Sequence, residues 1–334
     1  MKRRLQTWLE AIWYGDRRPS WPLRMLAAIF AWLSARRRRR QQARQQALPL
    51  PVVVVGNISV GGTGKTPMVV WLVEQLRAMG YSPGLVSRGY GGRARHWPQF
   101  VETHSDPLLV GDEPVLLVRR TGCAMVVGPD RVAAVRALCE KAPVDVVISD
   151  DGLQHYRMAR RFEVAVIDGV RGLGNQHLLP AGPLREPAER LEEVDLVVCN
   201  SGRVHGHGRS VVDMHVLLAD AVNLRSGEQR PLASFSGATV DAVAGIGHPQ
   251  RFFERLEAAG LGLRRHAFAD HHQFQPADLA LPGEQAILMT EKDAVKCSAF
   301  ASERCWSVPA SAVFDTRDSQ LITALLHDSL ETHT

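Results

Sequence analysis

Val52-Val53-Val54-Val55-Gly56 leads directly into Asn57-Ile58-Ser59-Val60-Gly61-Gly62-Thr63-Gly64-Lys65-Thr66-Pro67, and this junction constrains the fold more than any other part of the chain. Consecutive β-branched valines favour an extended strand buried on both faces, as in a parallel sheet. The glycines of the loop let the backbone curl closely and turn its N–H groups toward phosphate oxygens. A helix is predicted from about Thr66 to Met79, with Gly80 as its stop signal, and its first turn adds a positive dipole end. Pro67 is compatible with that first turn, where its missing N–H is not needed. Ser59, Val60, Gly61, Gly62, Thr63, Gly64, Lys65 and Thr66 therefore form the predicted cradle for a nucleoside triphosphate. Lys65 is placed to reach the β- and γ-phosphates and the Thr66 hydroxyl to ligate Mg²⁺. The loop departs from G-x-x-x-x-G-K-[ST] only at its first position, Ser59.

Beyond this unit, apolar β-branched runs alternate with helical patterns. Strands are predicted at Gly84–Ser87, Met125–Val127, Asp145–Ser149, Val164–Asp168, Asp195–Cys199, Val240–Ala244 and Ala286–Thr290. Helices are predicted at Arg131–Lys141 and Gln250–Ala259. This alternation implies an α/β fold with a mostly parallel, doubly wound sheet of the P-loop type. Gly202–Arg209, rich in Gly, His and Arg and without periodicity, reads as a hinge before a second, smaller α/β lobe. The expected division is 1–47 as an N-terminal helix with a basic flank, 48–205 as the nucleotide-binding core and 206–334 as the C-terminal lobe. His205 and His207, within the hinge, read as loop residues and not as a metal site.

Acidic residues punctuate this frame at three places. The strand ending at Ser149 runs into Asp150-Asp151-Gly152, where a carboxylate beside a phosphate loop can organise Mg²⁺, either directly or through water. An N-cap role is the alternative. Gly111-Asp112-Glu113-Pro114 is either the cap and first turn of a helix or a second acidic site. Asp270-His271-His272 can supply a His–carboxylate base for an attacking hydroxyl or a satisfied surface pair. Lys292 and Asp293 are adjacent, which is the wrong spacing for a guanine-reading [NT]KxD motif.

Trp21–Ser34 is apolar apart from Arg24 and Ser34, and Arg36–Arg40 are consecutive arginines. The apolar segment is too short to span a bilayer, which takes about 20 residues. Leu26, Ile29, Phe30 and Leu33 fall on one helical face, so the segment is expected to lie in or dip into a membrane surface with the arginines at the headgroups. Packing on the domain core is the competing reading. Nucleic acid is not an expected partner, because no aromatic platform interleaves with the arginines. The five cysteines are dispersed, which argues against disulfides and structural zinc. With 45% hydrophobic and 22% charged residues the chain is of ordinary globular composition.

Several of these segments together resemble the tetraacyldisaccharide 4′-kinase family. The resemblance rests on Val52–Asn57 with the loop above, on Ser87-Arg88-Gly89-Tyr90-Gly91-Gly92, and on Gly111-Asp112-Glu113-Pro114. It extends over Ser149-Asp150-Asp151-Gly152-Leu153-Gln154-His155-Tyr156, Leu179-Pro180-Ala181-Gly182-Pro183-Leu184-Arg185-Glu186, Ala244-Gly245-Ile246-Gly247-His248-Pro249, and Thr290-Glu291-Lys292-Asp293-Ala294-Val295-Lys296. It implies transfer of the γ-phosphate of ATP to the 4′-hydroxyl of a tetraacylated glucosamine disaccharide 1-phosphate. The reaction would take place at the cytoplasmic face of a bacterial inner membrane, with no obligate protein partner. It further implies Asp112 as general base with His271 as its partner, although residue types alone do not separate His271 from His272. Thr66, Glu113 and Asp151, with Asp150 beside them, would organise Mg²⁺. Arg88, Gln154, His155 and Arg185 would line the donor or sugar-phosphate cleft. A membrane-associated P-loop switch or partitioning ATPase is the rival reading. Such a switch needs neither an acceptor base nor an acyl-chain surface.

Overall fold

The computed structural model describes residues 2–202, 208 and 210–331, with side chains from residue 8 onward. His205, His207 and most of the predicted hinge lie outside the described residues.

Among the described residues, a nine-stranded sheet runs in the order Ala310–Val313, Val211–Leu218, Leu196–Asn200, Phe162–Asp168, Val52–Gly56, Val146–Asp150, Pro83–Ser87, Met125–Val127, Gln99–Val101. Only the two edge strands, Ala310–Val313 and Gln99–Val101, are antiparallel to their neighbours. Val52–Gly56 is central and pairs in parallel with Val146–Asp150 on one side and Phe162–Asp168 on the other. Its valines divide by strand alternation. Val53 and Val55 pack with Met68, Leu72 and Leu117, whereas Val52 and Val54 pack with Leu138, Leu153 and Met158. Burial on both faces explains the unbroken valine run, each side chain contributing roughly 1.5–3 kcal/mol relative to exposure.

A six-stranded sheet is ordered Gln229–Arg230, Ala221–Asn223, Cys305–Val308, Ile287–Thr290, Thr239–Ala244, Gly262–Ala267. Its last four strands are mutually parallel. This second sheet exists as expected, but the boundary at 205/206 does not separate the two sheets. Val211–Leu218 and Ala310–Val313 belong to the large sheet, and Ile322 and Leu326 of the helix Thr316–Glu331 are buried in its core. The smaller lobe is thus an insertion between two strands of the larger sheet. Val211–Leu218 alternates buried and exposed residues along its length, as a strand near a sheet edge does.

Strand and helix ends differ from expectation by one or two residues, as in the helix at Lys65–Ala78. One such shift matters: Asp150 is the last residue of its strand and is buried, and Asp151 is the first residue off it, with φ of 49°.

The N-terminal segment forms two helices, Lys2–Trp13 and Trp21–Gln42. The second continues through the whole arginine run, since arginine is a good helix former. Trp21, Met25, Leu26, Ile29, Trp32 and Leu33 are exposed on it, and Ala27 is its buried residue. Phe30, expected on the outer face, is half-buried. No described helix is long and apolar enough to cross a membrane.

A buried ionic cluster ties the helix Trp21–Gln42 to the core. Arg190 donates to both carboxylate oxygens of Glu163 at 2.6 and 2.7 Å and to the Tyr156 hydroxyl at 2.9 Å. The Tyr156 hydroxyl donates to Glu186, and its ring lies beneath the Arg38 guanidinium at 4.7 Å. Replacing Arg190 with methionine leaves Glu163 buried without its fork. Because Arg160 still pairs with Glu163 at 2.8 Å, we expect a loss in unfolding free energy smaller than the ~3–5 kcal/mol of a fully orphaned buried charge, read from the shift of the urea denaturation midpoint.

Candidate active site

The carboxyl ends of the parallel strands of both sheets face one cleft of about 500 Å³. From the large sheet it is lined by Val60, Gly61, Gly62, Gly64, Lys65, Thr66, Arg88, Glu113, Asp150, Asp151 and Arg185. The smaller lobe contributes Ile246, Gly247, His248, Asp270, His271 and Lys292. A cleft at strand carboxyl ends is where open α/β sheets bind ligands.

The loop after Val52–Gly56 is held from below. Val60 N–H donates to the Pro183 carbonyl at 2.9 Å, and Arg185 N–H donates to the Ile58 carbonyl at 2.7 Å. Asn200 Nδ2 donates to the Thr63 carbonyl at 3.1 Å. Gly64 has φ of 97°, and a Cβ there would stand 2.6 Å from Asn200 Nδ2, so only glycine fits. Ser59 and Thr63 are buried supports of the loop and do not line the cleft. The outward positions Val60 to Gly62 and Gly64 to Thr66 do.

Lys65 Nζ lies 3.4 Å from Asp151 Oδ1, and Arg185 Nη1 lies 3.3 Å from Asp151 Oδ2. Burial opposes ionisation of Asp151, but the two cations outweigh it and carry its pKa down to about 2. Asp150 behaves oppositely: complete burial and the nearby Glu113 push its pKa up, against Lys65. Its Oδ1 is buried without a hydrogen-bond partner. A divalent cation would reverse that balance, so the donors present fit a hard metal ion. Among the described residues no three carboxylate, histidine or cysteine side chains form a preformed metal cage. Mg²⁺ commonly takes one or two carboxylates with waters and substrate phosphates.

On the opposite wall, Gly111 has φ of 98° and a Cβ there would meet the Tyr90 carbonyl at 2.7 Å. It precedes the helix Asp112–Thr121, so Asp112 is the first helical residue and not the cap. The Asp112 carboxylate is buried, with His271 Nδ1 3.4 Å from Oδ2. His272 instead faces Asp278 at 3.0 Å, so the two histidines are separated in space: His271 meets Asp112 and His272 does not. Tyr90 packs against His271 in a tilted contact with ring centroids 5.2 Å apart.

Lys292 was not foreseen here. Its Nζ lies 3.0 Å from Glu113 Oε1 and 4.0 Å from both Asp112 and Asp270. It carries the smaller lobe's charge into the acidic wall. His248 of the Ala244–Pro249 motif also faces the cleft, as do Asn200, Arg120 and Arg251, which carry no sequence signal beyond their place in strands and helices. Gln154 and His155 lie outside it. Gln154 Nε2 donates to the Asn57 carbonyl at 2.9 Å and to Glu186 at 2.8 Å, bracing the loop from behind. Burial, then Arg131, pulls the His155 pKa down to about 4, so that ring is neutral at pH 7.

Burial would raise the Asp112 pKa, but the hydrogen bond with His271 and the charge of Lys292 overcome it and hold the carboxyl low. The same hydrogen bond raises the His271 pKa against burial. The stability this raised imidazole contributes is complete below its ordinary pKa of about 6.5 and is lost as pH rises through the raised value. The Asp112 contribution is lost as pH falls through its depressed value. Asp112→Asn removes the carboxylate and should lower the His271 pKa, read by NMR titration of the ring protons. An unchanged value would refute the pairing.

A model of the family described as tetraacyldisaccharide-1-P 4′-kinase matches residues 19–330. The chain is 49% identical over 323 residues to the tetraacyldisaccharide 4′-kinase of Nitrosococcus oceani, covering 95% of this chain and 94% of that protein. It is 51% identical over 318 residues to the enzyme of the same description from Alkalilimnicola ehrlichii, covering 91% and 92%. A crystal structure of LpxK from Aquifex aeolicus in complex with ATP superposes with a TM-score of 0.79 at 24% identity, over 91% of this chain and 97% of that one, a likeness of fold.

Proposed function

The chain belongs to the tetraacyldisaccharide-1-P 4′-kinase family and phosphorylates the 4′-hydroxyl of the tetraacylated disaccharide 1-phosphate in lipid A biosynthesis; we propose that Asp112 is the base that activates this hydroxyl. The observation that carries this assignment is the Asp112–His271 pair: a buried, depressed carboxylate just behind the cleft surface, whose partner His271 lines the same cleft as the phosphate loop. A base must be ionised and oriented to take a proton from an alcohol. His271 orients Asp112, and Lys292 supports its charge from the smaller lobe.

ATP is the phosphoryl donor. Its phosphates would lie against Val60–Thr66, where backbone N–H groups, Lys65 and the helix Lys65–Ala78 offer positive potential. The acceptor oxygen gives its proton to Asp112 as it bonds to the γ-phosphorus, and the bond to the β–γ bridging oxygen breaks, releasing ADP. Lys65 and Arg185, which line the same cleft, would stabilise charge on the transferring group. Thr66, Glu113, Asp150 and Asp151 would hold Mg²⁺, which when bound neutralises phosphate charge. Arg88, exposed at the rim, is available to the donor or the anionic acceptor.

The acceptor carries acyl chains, and the exposed face Trp21–Leu33 supports a peripheral attachment to the cytoplasmic face of the inner membrane. The acidic wall and His271 favour this kinase over a conformational switch, which has no use for an acceptor base.

The direct test is transfer of label from γ-labelled ATP to purified disaccharide 1-phosphate, with and without Mg²⁺. Asp112→Ala should keep nucleotide binding while turnover falls by a factor of at least about 100, the scale of general-base catalysis. A native rate in that variant would refute the assignment of the base. Lys65→Ala should abolish turnover, and substantial remaining activity would exclude the phosphate-loop mechanism.

A further inference from the structure

The helix Trp21–Gln42 bears, beyond its apolar face, a groove that the catalytic chemistry does not use. Leu33, Arg36, Arg37, Arg40, Arg44 and Arg157 line it, around a volume of about 530 Å³. No acidic residue lines it. Arg157 is fixed by Asp130 at 2.8 Å, and Arg36 rests on the Trp32 ring at 5.3 Å. Among the described residues, Arg37, Arg40 and Arg44 form no ion pair, whereas Arg38, on the inner side of the same helix, pairs with Glu193. The helix is therefore clamped by one arginine and presents the others outward. Gln41 Oε1 reinforces the clamp by accepting from Tyr156 N–H at 3.0 Å.

Unpaired guanidiniums converging on a groove form a receptor for phosphate oxygens, because each presents a planar fork of donors. The neighbouring surface identifies the source of the phosphate. Trp21, Met25, Ile29, Trp32 and Leu33 are exposed on the turns of the same helix immediately before the groove. A soluble anion would need no such apolar apron, whereas a phospholipid has acyl chains for the apron and a phosphodiester for the arginines.

We propose that this groove binds the phosphodiester headgroup of an anionic phospholipid at the bilayer surface, a site separate from the catalytic cleft. The proposal rests on the membrane attachment argued above and adds a selectivity for lipid charge that an apolar face alone does not provide.

The test uses the full chain and vesicles of phosphatidylcholine alone or mixed with phosphatidylglycerol. At about fivefold per arginine, Arg37→Gln with Arg40→Gln should weaken partitioning to the mixed vesicles about 25-fold. Binding to phosphatidylcholine and the kinase rate in neutral detergent micelles should stay at the wild-type level. Arg39→Gln, on an exposed residue outside the groove, should lose clearly less than Arg40→Gln. Equal losses for these two single variants would reduce the effect to bulk charge and overturn the site. Wild-type partitioning by the double variant would overturn it as well. So would displacement by inorganic phosphate beyond that caused by sodium chloride of equal ionic strength, which would assign the groove to a soluble anion. Wild-type protein that binds neither vesicle would refute the apolar attachment too, whereas loss of the anionic preference alone refutes only the groove.

Discussion

Parallel pairing of Val52–Gly56 between Val146–Asp150 and Phe162–Asp168 is the constraint from which the site follows. Parallel strands end on the same side, so one register brings the phosphate loop, Asp150, Asp151 and Asp168 to a single rim. Leu196–Asn200 adds Asn200, which holds the Thr63 carbonyl. Asp168 in turn pairs with Arg251 of the smaller lobe. The valines that bury this strand on both faces hold the loop in place, although none of them touches a substrate.

Across the cleft the decisive forces are electrostatic. Asp150 and Asp151 are adjacent in the chain yet titrate in opposite directions. Asp151 has Lys65 and Arg185 beside it, while Asp150 is fully buried near Glu113. On the facing wall, Asp112 is kept ionised by His271 and Lys292, both from the smaller lobe. The acidic wall is therefore complete only when the two sheets are assembled. That gives the insertion between Val211–Leu218 and Ala310–Val313 its chemical significance: it returns to the large sheet at both ends, which fixes where Lys292 and His271 stand.

The Leu179–Glu186 segment shows how a motif can serve a site from outside it. Pro183 and Arg185 hydrogen-bond the phosphate loop backbone, Glu186 collects Gln154 and Tyr156, and the Pro180 carbonyl accepts from Trp13 Nε1 at 3.0 Å. One stretch thus joins the N-terminal helices to the nucleotide loop. Only the Arg185 side chain projects into the cleft to act on a ligand. Gln154 and His155, in a motif expected at the cleft, turn inward for the same reason: the segment after Asp151 wraps back over the core, placing Leu153 and Met158 inside it.

The sequence by itself determined the strand–loop–helix unit, the doubly wound parallel sheet and the apolar helix leading into arginines. Each depends on local pattern: β-branched runs, glycine spacing and helical periodicity. Lys65, Thr66 and Asp151 could be named as candidates from the sequence because their motifs are contiguous, whereas Asp112 was open to a helix-start reading until the family resemblance singled it out. Only the tertiary structure decided that His271 and not His272 meets Asp112, that Lys292 joins the acidic wall, and that the second sheet is an insertion. Those facts depend on residues more than a hundred positions apart being brought within about 4 Å, and on edge pairing that leaves no periodic trace distinguishing one sheet from another.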